Sequence, residues 1–243
     1  VPSRDRRPVR LPPLALIEEA ASRARAGAGL PGAPGGESRR VASSAPDLDE
    51  AFARVAGALG EERPGQIEMA RAVQRALDEG RVAILEAGTG TGKSLAYLVP
   101  AVLHSLRTGE RIVVSTHTKN LQDQLFRKET PLLEEILALD ARAERLLGRD
   151  NYLCSRGIVS HASSLMDGSR GAGLAFALYA SVAGDEGTFE ALGRLPAGPD
   201  ARAIAAPPRC PMNACGLAGR CPLLRARARA REAGILFVNP ALL

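Results

Sequence analysis

Nine residues, "EAGTGTGKS" from Glu86 to Ser94, combine three glycines, two threonines and a Lys-Ser pair. A chain can wrap an anion with residues of this kind. Small residues let successive amides turn inward as a nest, a lysine neutralises the β- and γ-phosphates, and a serine hydroxyl offers a ligand to Mg2+. Lys93 and Ser94 would carry the chemistry, and Ala87, Gly88, Thr89, Gly90, Thr91 and Gly92 would form the cradle. The general pattern has glycine where this chain has Ala87. Alanine costs little there if its φ is negative. A chance Gly/Thr turn is disfavoured, because Lys-Ser falls at the required offset. The expected ligand is a nucleoside triphosphate with Mg2+. The loop does not say what its hydrolysis would drive.

A second group of residues has the chemistry of a metal site. The spacing is Cys154-x55-Cys210-x4-Cys215-x5-Cys221, with Pro211 and Pro222 beside two of the cysteines. The last three lie in a Pro/Gly-rich stretch suited to wrapping a small object. Clustered thiols in a chain without secretory features point to metal rather than disulfides. Four thiolates suit zinc, for which two C-x2-C pairs are the more usual pattern, and they also suit iron–sulfur clusters, whose spacings vary more. Spacing alone does not choose between them. His117 and His161 have ligand chemistry, but each stands isolated in the sequence.

The loop needs elements to hold it. "GQIEMARAVQRALDEG" sets Ile67, Ala70, Val73 and Leu77 at helical spacing and stops at Gly80. "RVAILEA" reads as a buried strand leading into the loop. "KSLAYLVPAVLHSLRTG" reads as a helix interrupted or kinked at Pro100, and "RIVVST" as a second buried strand. "TKNLQDQLFRKETPLLEEILAL" reads as one or two helices broken near Pro131. Strand and helix alternating at these lengths predict parallel βαβ units. Beyond Gly148 the rhythm stops, residues 155–195 read as short helices, and "ILFVN" near the end is again strand-like. The middle therefore reads as an insertion within one α/β domain.

Composition sets outer bounds. The chain has 243 residues, 45% of them hydrophobic but only 3% aromatic, so the core must be aliphatic. Net charge is +5, which is compatible with a polyanionic partner and equally with an Arg-rich, Ala-rich composition. No apolar run approaches the roughly 18 residues of a spanning helix, and the N-terminus makes a poor secretory signal. A cytoplasmic chain without membrane contact is expected. Residues 1–48 read as a flexible Arg/Pro/Gly-rich tail with a short helix near 13–26, and order is expected from about Asp47.

In order, "RPGQIEMA", "EAGTGTGKS", "VVSTHTKNLQDQL", "GRDNYLC", the clustered cysteines and "ILFVNPALL" resemble the N-terminal portion of the DinG/XPD-like superfamily 2 DNA helicases. The resemblance covers residues 58 to 243 and implies a P-loop, RecA-like parallel-sheet domain with an inserted, mainly helical iron–sulfur domain. It implies segments at 49–148 (motor domain, first part), 149–222 (cluster domain) and 223–243 (return to the motor domain). By position, Gln66 matches the glutamine that reads adenine, and Arg63 lies in the same motif. Thr116, Thr118, Leu121 and Gln124 match a motif beside the single-stranded DNA path. Cys154, Cys210, Cys215 and Cys221 match the ligands of a [4Fe-4S] cluster. Ala87 is ordinary for that family. Read without the resemblance, Gln66 is a solvated helix-start residue, and Thr116 and Thr118 are strand-end and capping hydroxyls.

The resemblance further implies an ATP-driven, 5′ to 3′ helicase of repair or replication, acting on single-stranded or forked DNA as a monomer. The D-E-A-H box and second motor domain of that family do not occur in these residues, so an incomplete chain, inactive by itself, is expected. Arg225, Arg227, Arg229 and Arg231 would form stacked i,i+4 pairs on a helix, facing phosphates or solvent. Tyr152 and Phe126 have rings that could stack on a base, with core packing preferred for Phe126. Two rival functions remain: a P-loop phosphotransferase with a structural four-cysteine zinc site, and a non-catalytic nucleic-acid-binding fragment.

Overall fold

The computed structural model describes residues 45–165, 186–192, 199–210 and 214–242. The expected helix near 13–26, almost all of the tail and Pro211 lie outside the described residues. The chain divides into two compact units, one running up to Gly148 and resuming at Ala226, the other comprising Arg149–Arg225.

The first unit begins with α1 (Leu48–Leu59), whose N-cap Asp47 accepts from the Glu50 amide at 2.8 Å. Helix α2 (Pro64–Glu79) follows, with proline in its first turn, where its missing N–H costs nothing, and Gly80 in the left-handed conformation at its end. Helix α3 (Lys93–Thr108) then runs unbroken through Pro100. Leu98, Val99 and Val102 on α3 are fully buried, each contributing about 1.5–3 kcal/mol relative to exposure. Near the C-terminal end of α3, buried His104 sets Nδ1 3.2 Å from Asp78 of α2 and Nε2 3.0 Å from Glu110.

Three strands make a parallel sheet in the order β1 (Ile112–Ser115), β3 (Ile235–Val238), β2 (Ala143–Arg145). Central β3 pairs Ile235 with Ile112 on one side and with Ala143 on the other. Residues 149–225 thus lie in the connection between β2 and β3, consistent with the parallel α/β reading. Between β1 and β2 the chain forms α4 (Lys119–Gln124), a π-helical turn (Leu125–Glu129) and α5 (Thr130–Leu137). The break expected near Pro131 lies instead at this π turn. Pro131 sits in the first turn of α5, and Thr130 Oγ1 donates to the Leu125 carbonyl at 2.8 Å.

Two strand expectations need correction. Residues 81–87 form no strand among the described residues, and Val82 and Ile84 are both 95% exposed. An apolar run becomes a buried strand only when other strands supply its ladder, and none of the described strands pairs with it. Strand β1 is half-buried rather than buried, with Val113 44% exposed.

In the second unit, α6 (Ser155–Leu165) and α7 (Pro199–Ile204) accompany two antiparallel bridges, Tyr152 with Thr188 and Leu153 with Ala205. Its core gathers Leu153, Ile158 and Ile204, with Phe189 against them. Gly157 permits the close approach of α6 to α7, since a Cβ there would lie 2.5 Å from the Ala203 carbonyl oxygen. Helix α8 (Pro222–Glu232) carries the chain back toward β3. Among the described residues no helix is long and apolar enough to cross a membrane.

Candidate nucleotide site

The loop from Ala87 to Gly92 is closed on itself by its own lysine. Lys93 Nζ donates to the Ala87 carbonyl at 2.8 Å and to the Gly88 carbonyl at 2.7 Å, and Thr91 Oγ1 donates to the Gly88 carbonyl at 3.0 Å. Gly90 and Gly92 adopt φ of 82° and 75°, the left-handed region that a side chain resists. Ala87 is not among the positive-φ residues. It serves through its carbonyl, which any residue possesses, and this explains why alanine suffices at the loop's first position.

Gly92 is the N-cap of α3, and no side chain caps that helix. The first-turn amides and the positive end of a 16-residue helix therefore face the loop unclaimed by a capping side chain. Space allows an anion to approach, since a Cβ added at Gly88 or Gly90 would meet nothing within 4 Å. The donor set fits a triphosphate: loop amides and a helix N-terminus for the phosphates, Lys93 for their charge, and the Ser94 hydroxyl for Mg2+.

The start of α2 braces this loop. Arg63 Nη1 donates to the Gly90 carbonyl at 2.9 Å, and Gln66 Nε2 donates to the Gly92 carbonyl at 2.8 Å. Gln66 is only 7% exposed, and a Cβ at Gly92 would lie 2.1 Å from its Nε2. The residue matched to adenine recognition is thus in contact with the phosphate loop. Arg63 also pairs with Glu61 at 2.6 Å. That hydrogen bond and charge hold the Glu61 carboxyl below its usual range and raise the guanidinium further.

Thr116 and Thr118 follow the C-terminal end of β1. Thr116 is buried, its amide bonded to the Val238 carbonyl at 2.9 Å and its hydroxyl donating to the Thr118 carbonyl at 3.2 Å. Thr118 caps α4, its Oγ1 accepting from the Leu121 amide at 3.3 Å. Asn239, just past β3, donates to the His117 carbonyl at 3.0 Å. Gln124 is exposed and donates to Glu129 Oε1 at 2.8 Å. Motif spacing passed over Gln122, which is completely buried and donates through Nε2 to the Leu146 and Phe237 carbonyls, both at 2.9 Å. It ties α4 to the ends of β2 and β3. Its position two residues before Gln124 hides it among polar neighbours, and nothing in the local pattern marks it as core.

The aromatic expectations separate. Phe126 packs edge-on against Phe237 with centroids 6.4 Å apart, and the Arg145 guanidinium lies 5.9 Å from its ring, as core packing predicts. Tyr152 is corrected as a base-stacking candidate: it is 2% exposed, its ring spent on packing. Among the α8 arginines, Arg229 pairs with Glu144 at 2.8 Å and Arg231 is exposed.

None of the four cysteines is in a disulfide, and all are half-buried. Cys154 precedes α6, and its Sγ accepts from the Gly157 amide at 3.3 Å. Cys221 precedes α8, accepting from the Arg225 amide through its carbonyl at 3.0 Å. A sulfur at a helix N-terminus with an amide donor suits a thiolate ligand. The donor chemistry thus fits a metal. The convergence does not: among the described residues no three of His, Cys, Asp or Glu stand close enough together to hold one.

Comparison with known proteins bears on the same residues. Residues 64–164, from the start of α2 nearly to the end of α6, match the DEAD/DEAH box helicase family. The chain is 45% identical over 92 residues to the ATP-dependent DNA helicase YoaA of Haemophilus influenzae, covering 38% of this chain and 14% of that protein. It is 46% identical over 121 residues to the ATP-dependent helicase DinG of Mycobacterium tuberculosis, covering 48% and 18%. A protein of Staphylococcus epidermidis named 3′-5′ exonuclease DinG is 38% identical over 98 residues, covering 40% and 11%. The matched stretches therefore span less than a fifth of these relatives' lengths.

Proposed function

From the premise that this chain is similar to DinG-like helicases and carries a DEAD/DEAH box helicase match, we propose that it forms part of the motor of an ATP-dependent DNA helicase. The observation that carries the proposal is the phosphate loop: Lys93 anchored on two loop carbonyls at the head of α3, braced by Arg63 and Gln66. In this reading Lys93 neutralises the triphosphate, Ser94 meets Mg2+, and the amides of Gly88 to Gly92 hold the phosphates. Gln66 senses adenine while touching the loop, so base recognition and loop geometry share one side chain.

Single-stranded DNA runs past Thr116, Thr118 and Gln124, at the C-terminal edge of the sheet, where ligands of open α/β sheets commonly bind. The four cysteines, which have suitable donor chemistry, hold a [4Fe-4S] cluster. When bound it supplies iron–thiolate bonds that fasten segments far apart in sequence. Hydrolysis drives 5′ to 3′ movement and unwinding of forked DNA in repair or replication.

The test has two parts. A fluorescent ATP analogue titrated into the wild type should bind, and binding should vanish in Lys93→Ala. In the longer protein bearing these residues, Lys93→Ala should abolish unwinding, and unwinding that survives it would overturn the assignment. Iron and acid-labile sulfide in anaerobically purified protein support the cluster, whereas stoichiometric zinc would replace it with the phosphotransferase reading.

A further inference from the structure

Residues 116–124 leave the sheet at the end of β1, yet their fastenings reach the other two strands. The Thr116 amide donates to the Val238 carbonyl at 2.9 Å, and Asn239 Nδ2 donates to the His117 carbonyl at 3.0 Å. Gln122 Nε2 donates to the Leu146 and Phe237 carbonyls, both at 2.9 Å. Beside it, Asp123 accepts from buried Arg145 of β2 at 2.8 Å. We infer that Gln122 and Asn239 are positioning residues for nucleic-acid binding, holding α4 on the carboxyl ends of β2 and β3 so that Gln124 meets the single strand; this inference rests on the DNA reading above.

Gln122 is a poor choice for a position that only fills the core. It is completely buried. Its Nε2 has two hydrogens and faces two carbonyls, so the amide's orientation is fixed. Its Oε1 is left buried without a hydrogen-bond partner among the described residues. An unmet acceptor in the interior costs free energy, and a leucine or methionine would bring no such cost. What the amide adds is direction. An apolar side chain tolerates sliding and rotation against its neighbours, whereas hydrogen bonds to two different strands accept one placement of the helix. The Phe237 carbonyl also accepts from the Leu146 amide at 2.9 Å, so Gln122 joins the end of the β2–β3 ladder.

Helix α4 has six residues, too few to hold itself in place by its own hydrogen bonds. Gln124 lies two positions beyond Gln122, about 200° around the helix axis, and is exposed. Pinning one face to the sheet therefore sets where the opposite face stands. Asn239 secures the other end of the segment. Its Oδ1 accepts from the Ala241 amide at 3.0 Å while Nδ2 holds the His117 carbonyl, so the turns after β1 and β3 share one side chain. The rival explanation is a pair of amides that only stabilise the fold.

Gln122→Met separates the two, since it keeps the side chain's length and removes both hydrogen bonds. The readout is affinity for a fluorescently labelled oligothymidine, measured by anisotropy in the cold with folding checked by circular dichroism. Residues that only stabilise the fold would change the melting temperature and leave the affinity of the folded protein alone. Gln122→Met should instead bind roughly threefold to tenfold more weakly while folded, the equivalent of about one net hydrogen bond. The loss should be smaller on a Gln124→Ala background, where the contact being positioned is gone. An unchanged affinity in folded Gln122→Met, or an equal loss on both backgrounds, overturns the inference. If Gln122→Met does not fold, half-buried Asn239→Ala decides by the same measurement. If Gln124→Ala weakens binding while the positioning variants do not, only the inference falls. If the wild type binds no oligothymidine, or Gln124→Ala binds as well as the wild type, the DNA reading falls and takes the inference with it.

Discussion

Between Ala87 and Lys93 every group that would face a phosphate lies within one turn of chain, whereas 55 residues separate Cys154 from Cys210. The loop is shaped by its own hydrogen bonds: Lys93 to Ala87 and Gly88, Thr91 to Gly88, and two braces from α2. Around the cysteines, by contrast, no three ligand-type side chains converge among the described residues. A phosphate cradle is a backbone conformation, so glycines at the right offsets dictate it locally. A thiolate site is a closure of long loops, whose entropy must be offset by bonds to the metal itself. On the proposed function, the two regions therefore differ in what organises them: the chain in one, the bonds of a bound cluster in the other.

Removing the lysine tests the pre-built side of that contrast most severely. Lys93→Ala should cost at least about 100-fold in affinity for the ATP analogue, since it deletes both a phosphate charge and the two loop-closing bonds. Isothermal titration would measure it. Next in size is Gly92→Ala, which demands an alanine at φ 75° and drives a Cβ to within 2.1 Å of Gln66 Nε2. It should destabilise the fold by roughly 1–3 kcal/mol, visible as a lower melting temperature, and weaken nucleotide binding as well. A Gly92→Ala protein with wild-type melting and affinity would mean the loop is not pre-built.

The cysteine side predicts a different signature. Cys215→Ser should lower bound iron, measured by colorimetric assay, and should leave affinity for the ATP analogue within about twofold, because sites without shared partners behave additively. A large loss of nucleotide affinity would join the two regions and break the contrast.

The smallest expected effect lies at Glu134, whose carboxyl burial pushes up while the Ala141 amide, bonded at 2.9 Å, opposes the shift. An acid whose folded pKa is raised penalises the fold once the unfolded chain has ionised, so the penalty is present above the folded pKa and absent below the unfolded one. Glu134→Gln, which can still accept from Ala141, should therefore stabilise at pH 7 by less than about 1 kcal/mol, given the side chain's partial exposure. The gain should disappear near pH 3. Thermal melts at the two pH values would measure it.

What could be read from the residues alone followed from local rules. Lys93 and Ser94 at the head of a helix, the stop at Gly80 and the helical face of α2 all depend on contacts within a few positions. So does the tolerance of Ala87, because that position is used through its backbone. The expectations that changed depended on distant partners. "RVAILEA" has a buried strand's composition, but composition cannot supply a ladder, and Val82 and Ile84 stand exposed. Tyr152 could have been a stacking platform until the Thr188 and Ala205 segments enclosed its neighbourhood. Gln66 and Gln122 show the same limit from the other side. Their types and positions are plain in the sequence, but contact with Gly92, or with the ends of β2 and β3, exists only once the chain is folded. Backbone conformation at a glycine-rich turn is a short-range property that sequence determines. Which side chain braces that turn, and which apolar run finds a neighbour, is decided by long-range closure, where tertiary packing outweighs any local preference.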